Sequence, residues 1–219
     1  MTAVEFERLS TELRKLVRNI PLNWGHIQNN GYDRLVNMFD IDSYEALEIA
    51  IAPHNYQVKT YFRRRWYLWQ CSRCDEYLFA INDNVNPNPD QYDQSYDIEF
   101  NGNLRFDIKG TIIPRKMRHD IDDIINNPQP MVDFFYEEQS KGVRNAFQNR
   151  LFIVHHSFVD SDREFYLRCA WESKEKIYSE YAKMTTKSRF FYKYRDCLAD
   201  VIFILEREKS KVEYIIHTL

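Results

Sequence analysis

The chain has 219 residues, 44% hydrophobic and 29% charged, with a formal net charge of −3. These proportions exclude a largely disordered chain, a collagen-like chain and a coiled-coil rod, and the length suits a single domain with elaborated edges. Only five glycines are present, no Gly-x-Gly-x-x-Gly or Walker-type run occurs, and no nucleotide cofactor is expected.

Residues 1–10 carry Glu5, Glu7 and Arg8 and no apolar run, so a signal peptide is not expected. Residues 4–19 place Phe6, Leu9, Leu13 and Leu16 at helical spacing, and 21–31 break the pattern. Two short helices are predicted over 32–39 and 43–52, the second with Ser43 as N-cap and Glu45 just inside. A long helix is predicted over 57–81. It contains Cys71-x-x-Cys74, whose spacing puts both thiols on one helical face with Tyr67, Leu78 and Ile81, as buried core rather than metal ligands. Cys169 and Cys197 are isolated.

Residues 82–94, rich in Asn, Asp and Pro with Val85 as the lone aliphatic, read as a surface loop. A hairpin is predicted over 95–114, a short helical turn over 120–125 and a helix over 131–148. Strands are predicted over 151–155 and 164–170, a charged helix over 174–183, and a terminal hairpin from 200–206 and 212–217. The longest apolar run near the end, 201–205, is far too short to cross a bilayer. The expectation is a soluble, cytoplasmic, mixed α/β protein, a central mixed sheet flanked by helices, with no membrane partner.

The hairpin is the informative segment. Asn101-Gly102 is a turn signal. A two-residue loop would mix apolar and charged residues on both faces. A three-residue loop, 101–103, pairs Phe100 with Leu104 and Ile98 with Phe106. Ile98, Phe100, Leu104, Phe106 and Ile108 then line one face, and Asp97, Glu99, Arg105, Asp107 and Lys109 the other. Burial of one face specifies register, so the three-residue loop is expected. Asp97 then stands across from Asp107, an unfavourable pairing. A divalent cation would offset it, because Mg²⁺ commonly takes one or two carboxylates and completes its shell with waters and phosphate oxygens. Lys109 beside it could orient an attacking water and stabilise charge on phosphorus. An ordinary solvated hairpin face carries the same residue types, and a second acid-x-Lys match, Glu172-Ser173-Lys174, lies in a charged helical context.

Asp97, nine intervening residues and then Asp107-Ile108-Lys109 resembles the catalytic pattern of the PD-(D/E)XK nuclease superfamily, the fold of many type II restriction endonucleases. The order helix, hairpin, helix, strand over 57–156 fits that resemblance, with 1–56 a helical N-terminal elaboration and 157–219 a C-terminal one. Tyr96 stands where the family name has Pro. The resemblance implies a restriction-endonuclease-like core and a Mg²⁺-dependent nuclease, with Mn²⁺ as a substitute ion, hydrolysing phosphodiester bonds in DNA. Asp97 and Asp107 would be the metal-binding acids and Lys109 the catalytic lysine. Many members carry a further acid on the helix before the hairpin; Asp75 and Glu76 are candidates, and Glu45 on an earlier helix is a third. A homodimer would let two sites cut two strands. The alternative is a non-catalytic nucleic-acid-binding or protein-interaction module on the same fold.

Arg115, Lys116 and Arg118 follow the motif strand and are the first candidates for nucleic-acid contact. Arg63-Arg64-Arg65, and the basic residues Lys183, Lys187, Arg189, Lys193 and Arg195 among Phe190, Phe191, Tyr192 and Tyr194, are further ones; each of the three clusters also reads as a charged helix face over core aromatics, and 115–118 leads for its closeness in sequence to Lys109. His155-His156 beside Ser157 reads as structural. Ser140, Arg144 and Gln148 share a face of the predicted 131–148 helix.

Overall fold

The computed structural model describes residues 1–20, 30–90, 93, 95–138, 148–185 and 190–217. The chain divides into two compact units, Met1–Cys74 and Asp75–Leu219, the boundary falling inside one long helix.

The first unit is helical. Helix α1 (Ala3–Leu16) opens on a capping box in which Glu5 N–H donates to Thr2 Oγ1 at 3.3 Å and Thr2 N–H to Glu5 Oε2 at 2.6 Å; Leu9, Leu13 and Leu16 are its buried stripe. The helix expected over 32–39 is instead α2 (Asn30–Asp33) and a separate 3₁₀ turn, Met38–Asp40. Ser43 does cap α3 (Tyr44–Ile51), its Oγ accepting from Ala46 N–H. Helix α4 (Tyr56–Ala80) carries both Cys71 and Cys74 as buried thiols, neither in a disulfide.

The second unit begins in the last turns of α4 and continues through β1 (Val85–Pro87), β2 (Ile98–Phe100), β3 (Leu104–Ile112), α5 (Ile121–Asn126), α6 (Gln129–Glu138), β4 (Arg150–Ser157), α7 (Arg163–Leu167), α8 (Trp171–Met184), β5 (Tyr192–Tyr194), β6 (Cys197–Glu208) and β7 (Lys211–Ile216). Among the described residues the sheet runs β1-β2-β3-β4-β6-β5, with β7 also on β6. The β1-β2-β3 ladders are antiparallel, β3-β4-β6 parallel, and β5 and β7 antiparallel to β6. The fold is thus mixed α/β with a mixed sheet.

Three sequence expectations fail here. Ile81, expected on the buried stripe of the long helix, lies just past its end and is exposed. The 82–94 segment is not all loop: Val85 is buried opposite Phe100, which recruits 85–87 as an edge strand. Residues 164–170 are not a strand. Glu164 and Leu167, three apart, are both buried, the spacing of the short helix α7. Glu164 goes inward because two cationic or donor groups meet it there, a contact invisible to local periodicity.

Helices cover both faces. Ile124 and Ile125 of α5 and Met131, Val132, Phe135 and Tyr136 of α6 pack with Phe152 and Val154 of β4 and Ala199, Val201 and Phe203 of β6. On the other face, Phe79 at the end of α4 stacks on Tyr178 of α8 at 4.0 Å and meets Phe100 edge-on, and Tyr181 of α8 donates to Asp200 Oδ2. Helix α8, read from sequence as charged, buries a stripe of Trp171, Lys174, Ile177, Tyr178 and Tyr181. Among the described residues no helix is long and apolar enough to cross a membrane.

Candidate active site

The hairpin has the three-residue loop. Asn101 (φ 51°) and Gly102 (φ 72°) both take the left-handed conformation that Asn and Gly tolerate, and the register is Phe100↔Leu104, Glu99↔Arg105, Ile98↔Phe106. The ladder stops there. Asp97 N–H still donates to Phe106 O at 2.9 Å, but the Ile108 N–H that a longer β2 would have engaged donates instead to Asp97 Oδ2 at 2.6 Å. From Asp107 onward β3 pairs along its other edge with β4, starting with Asp107↔Arg150, and Asp107 N–H donates to Asn149 O at 3.0 Å. Asn149 ties this start together: its side chain donates to Arg105 O of β3 and accepts from Leu198 N–H of β6. The acids therefore stand where one strand pairing ends and another begins.

Asp107 is 3% exposed, a buried carboxylate on what local alternation makes the polar face. Lys109 Nζ contacts its Oδ1, and Arg150 Nε lies 3.6 Å from its Oδ2. Among the described residues Oδ2 accepts no hydrogen bond. Burial and, next, the neighbouring Asp107 charge push the Asp97 carboxyl up to about 6, partly offset by Lys109 and by the Ile108 N–H. An orphaned buried carboxylate oxygen beside a second, repelled carboxylate is the hard-oxygen donor set that Mg²⁺ or Mn²⁺ takes, so the residues fit the ion in kind and number. No third acid joins them: among the described residues no group of three or more His, Cys, Asp or Glu converges.

Asp75 is turned away from this pair. Asp75 is buried, with Lys174 Nζ at 2.8 Å and Tyr178 Oη at 2.9 Å on its Oδ1, both from α8. These partners hold it on the sheet face that carries Phe79, Tyr178 and Tyr181, while register puts Asp107 on the face of Arg150 and Ala199. Glu76 is half-buried on the same helix, and Glu45 is exposed in the helical unit.

Of the basic candidates, Arg115 and Lys116 are exposed, Lys116 Nζ lying 4.0 Å from the Phe134 ring centroid. Arg118 is committed: Nη2 donates to Glu164 Oε2 at 2.8 Å and Nε to Ile113 O at 2.9 Å. Arg63 makes a two-pronged contact to Glu48, Arg65 pairs with Asp33, and Arg64 is buried. Lys187, Arg189, Ser140 and Arg144 lie outside the described residues. His155 contacts Thr111 O through Nδ1, His156 contacts Glu164 Oε1, and Ser157 donates to Glu206 Oε2, all buried structural contacts.

Three residues at the site were not singled out from sequence: Arg150, Asn149 and Tyr136, whose ring centroid lies 4.8 Å from the Arg150 guanidinium. The one local signal was a charged residue directly before the apolar run 151–154. The chain matches no protein-family model, no curated protein and no solved structure.

Proposed function

We propose that the chain is a Mg²⁺-dependent nuclease with a restriction-endonuclease-like core, hydrolysing phosphodiester bonds in DNA. The meeting of Asp97, Asp107 and Lys109 at the strand fork is the observation that carries this reading. The order of α4, the β2–β3 hairpin, α6 and a β4 parallel to β3 supports it.

Asp97 and Asp107 would hold the ion through the oxygens their hydrogen bonds leave open. When bound, the ion supplies Lewis acidity toward phosphoryl oxygen and acidifies a water. Lys109, its side chain 36% exposed, reaches solvent, whereas the Asp107 side chain does not. Released from Asp107, its ammonium donates to the attacking water or to a non-bridging phosphate oxygen and offsets the charge that grows there. Water attack forms one P–O bond and breaks another, leaving a phosphomonoester and an alcohol, with the leaving oxygen protonated from solvent. Arg115 and Lys116, exposed just beyond β3, are the nearest candidates in sequence for backbone phosphate contact.

The test is incubation of the folded chain with plasmid, single-stranded DNA and RNA, with Mg²⁺, with Mn²⁺ and with EDTA. Metal-dependent cutting by the wild type, reduced at least ~100-fold in Lys109→Ala, is expected, the size of loss typical for removing one transition-state donor. A folded wild type that cuts no nucleic acid under any divalent ion overturns the enzyme reading. Retained binding would then favour a nucleic-acid-binding module, and no binding a protein-interaction module.

A further inference from the structure

Among the described residues, Asp107 has two cations upon it. Lys109 belongs to the motif and sits on Oδ1; Arg150 comes from the first residue of β4 and sits on Oδ2. They differ in freedom. Lys109 is partly exposed and can turn outward, whereas the Arg150 side chain is 7% exposed. The Tyr136 ring beside Arg150 is itself fixed: its hydroxyl donates to Gln148 O at 2.7 Å, and the ring lies parallel to that of Tyr194 with centroids 4.7 Å apart. A planar guanidinium against an aromatic ring is preorganised and stays charged at any working pH. Arg150 is therefore a fixed charge and Lys109 a movable one.

Among the described residues the charges sum to zero before any ion arrives: two carboxylates, Asp97 and Asp107, against Lys109 and Arg150. A divalent ion drawn to the acids meets two positive charges. One can swing away; the other is walled in. At 3.6 Å the Arg150 Nε is beyond ordinary hydrogen-bond reach of Oδ2. It balances the charge of that oxygen without occupying its lone pairs.

We propose that Arg150 is the resident counter-cation of the acid pair, a positioning residue that holds Asp107 in the metal-free protein and lowers the affinity of the pair for divalent ions. The inference rests on the nuclease reading of that pair. Its consequence is a site that releases its ion easily and whose metal affinity is set from outside the motif, by strand β4.

The test is Mn²⁺ binding by the full chain, read from the free-ion electron paramagnetic resonance signal, with thermal melts in EDTA and in Mg²⁺. Arg150→Gln removes the charge and should bind Mn²⁺ about tenfold more tightly or better, the scale expected for removing a fixed charge a few ångströms from the ligand oxygen. It should melt below wild type in EDTA and gain more on adding Mg²⁺. Arg150→Lys keeps the charge and should stay within about threefold of wild-type affinity. If Arg150→Gln fails to fold, the wild type carries the test: the side-chain ¹⁵Nε resonance of Arg150, assigned by its loss in Arg150→Lys, should shift on saturation with Mg²⁺. Wild type that binds Mn²⁺ with Arg150→Gln no tighter, or an Arg150 resonance unmoved by saturating Mg²⁺, overturns the role of Arg150 and leaves the nuclease reading standing. Wild type that binds no Mn²⁺ overturns both.

Discussion

The Asp97 carboxylate accepts the Ile108 backbone N–H at 2.6 Å, in the place where the next residue pair of the β2–β3 ladder would stand. An acidic side chain thus satisfies a buried main-chain donor and faces a second acid at the same time. Charge and acceptor can be removed separately. In metal-free buffer at neutral pH, Asp97→Asn, which keeps an acceptor oxygen, should be more stable than wild type by roughly 0.5 kcal/mol, the scale of a cross-strand like-charge pair. Asp97→Ala leaves the Ile108 N–H without a partner and should fall below Asp97→Asn by about 1–3 kcal/mol. Urea unfolding of the three proteins in EDTA measures both differences, and equal stability of the two variants would contradict the capping role.

The same carboxyl gives a pH signature. Its folded-state pKa, pushed up to about 6, lies above the unfolded value of 3.8. Between those values the folded state binds more protons, so this contribution is complete below pH 3.8 and is lost as pH rises through 6. His155 acts in the opposite sense. Burial holds its pKa well below 6.5, so stability is lost as pH falls from 6.5. The two windows overlap. The expected result therefore concerns a difference: melting temperature of Asp97→Asn minus wild type, in EDTA, should grow from pH 4 to pH 7. A flat difference would remove the case for a strained acid pair.

The Asp75–Lys174 pair is buried on both sides, with Tyr178 as a second donor to the same oxygen. Breaking it from one side strands a charge in the core. Asp75→Asn or Lys174→Met should each cost about 3–5 kcal/mol, and the double variant less than the sum of the two, because neither charge is then left alone. Under the nuclease reading, the folded fraction of Asp75→Asn should keep wild-type cleavage per molecule. Loss of cleavage with the fold intact would make Asp75 a site acid after all.

Arg118 and its neighbours should separate cleanly. Arg118→Ala removes the Arg118–Glu164 contact and leaves the buried Glu164, among the described residues, with His156, at a cost of about 2 kcal/mol. Arg115→Ala and Lys116→Ala should change stability by less than about 0.5 kcal/mol. The nuclease reading predicts weaker nucleic-acid binding for these two, with a shallower salt dependence. Thermal melts beside binding isotherms at two salt concentrations check all three.

What sequence could reach was what neighbours along the chain encode. The hairpin register was legible because alternation has a period of two, one face is wholly apolar, and Asn101-Gly102 supplies the left-handed turn that a three-residue loop needs. With the register came the nearness of Asp97 to Asp107, although the ladder ends one pair short of them and Asp97 turns to the Ile108 N–H instead. The capped start of α3 and the buried thiols of α4 were legible for the same reason, since cap and stripe are set within one or two turns.

Tertiary structure decided which charges meet. Arg150 reaches Asp107 only because β4 pairs in parallel with β3, in a register secured by Asn149 and separated by the whole crossover. Lys174, a residue of the second acid-x-Lys match, is buried because α8 brings it to Asp75. Glu164 turns a strand-like segment into α7 because Arg118 and His156 await it inside. Hydrophobic periodicity repeats over a few residues and can be read locally. A buried charge is tolerated only where an opposite charge or donor arrives from elsewhere, and that partner is known only once strand order and helix placement are known.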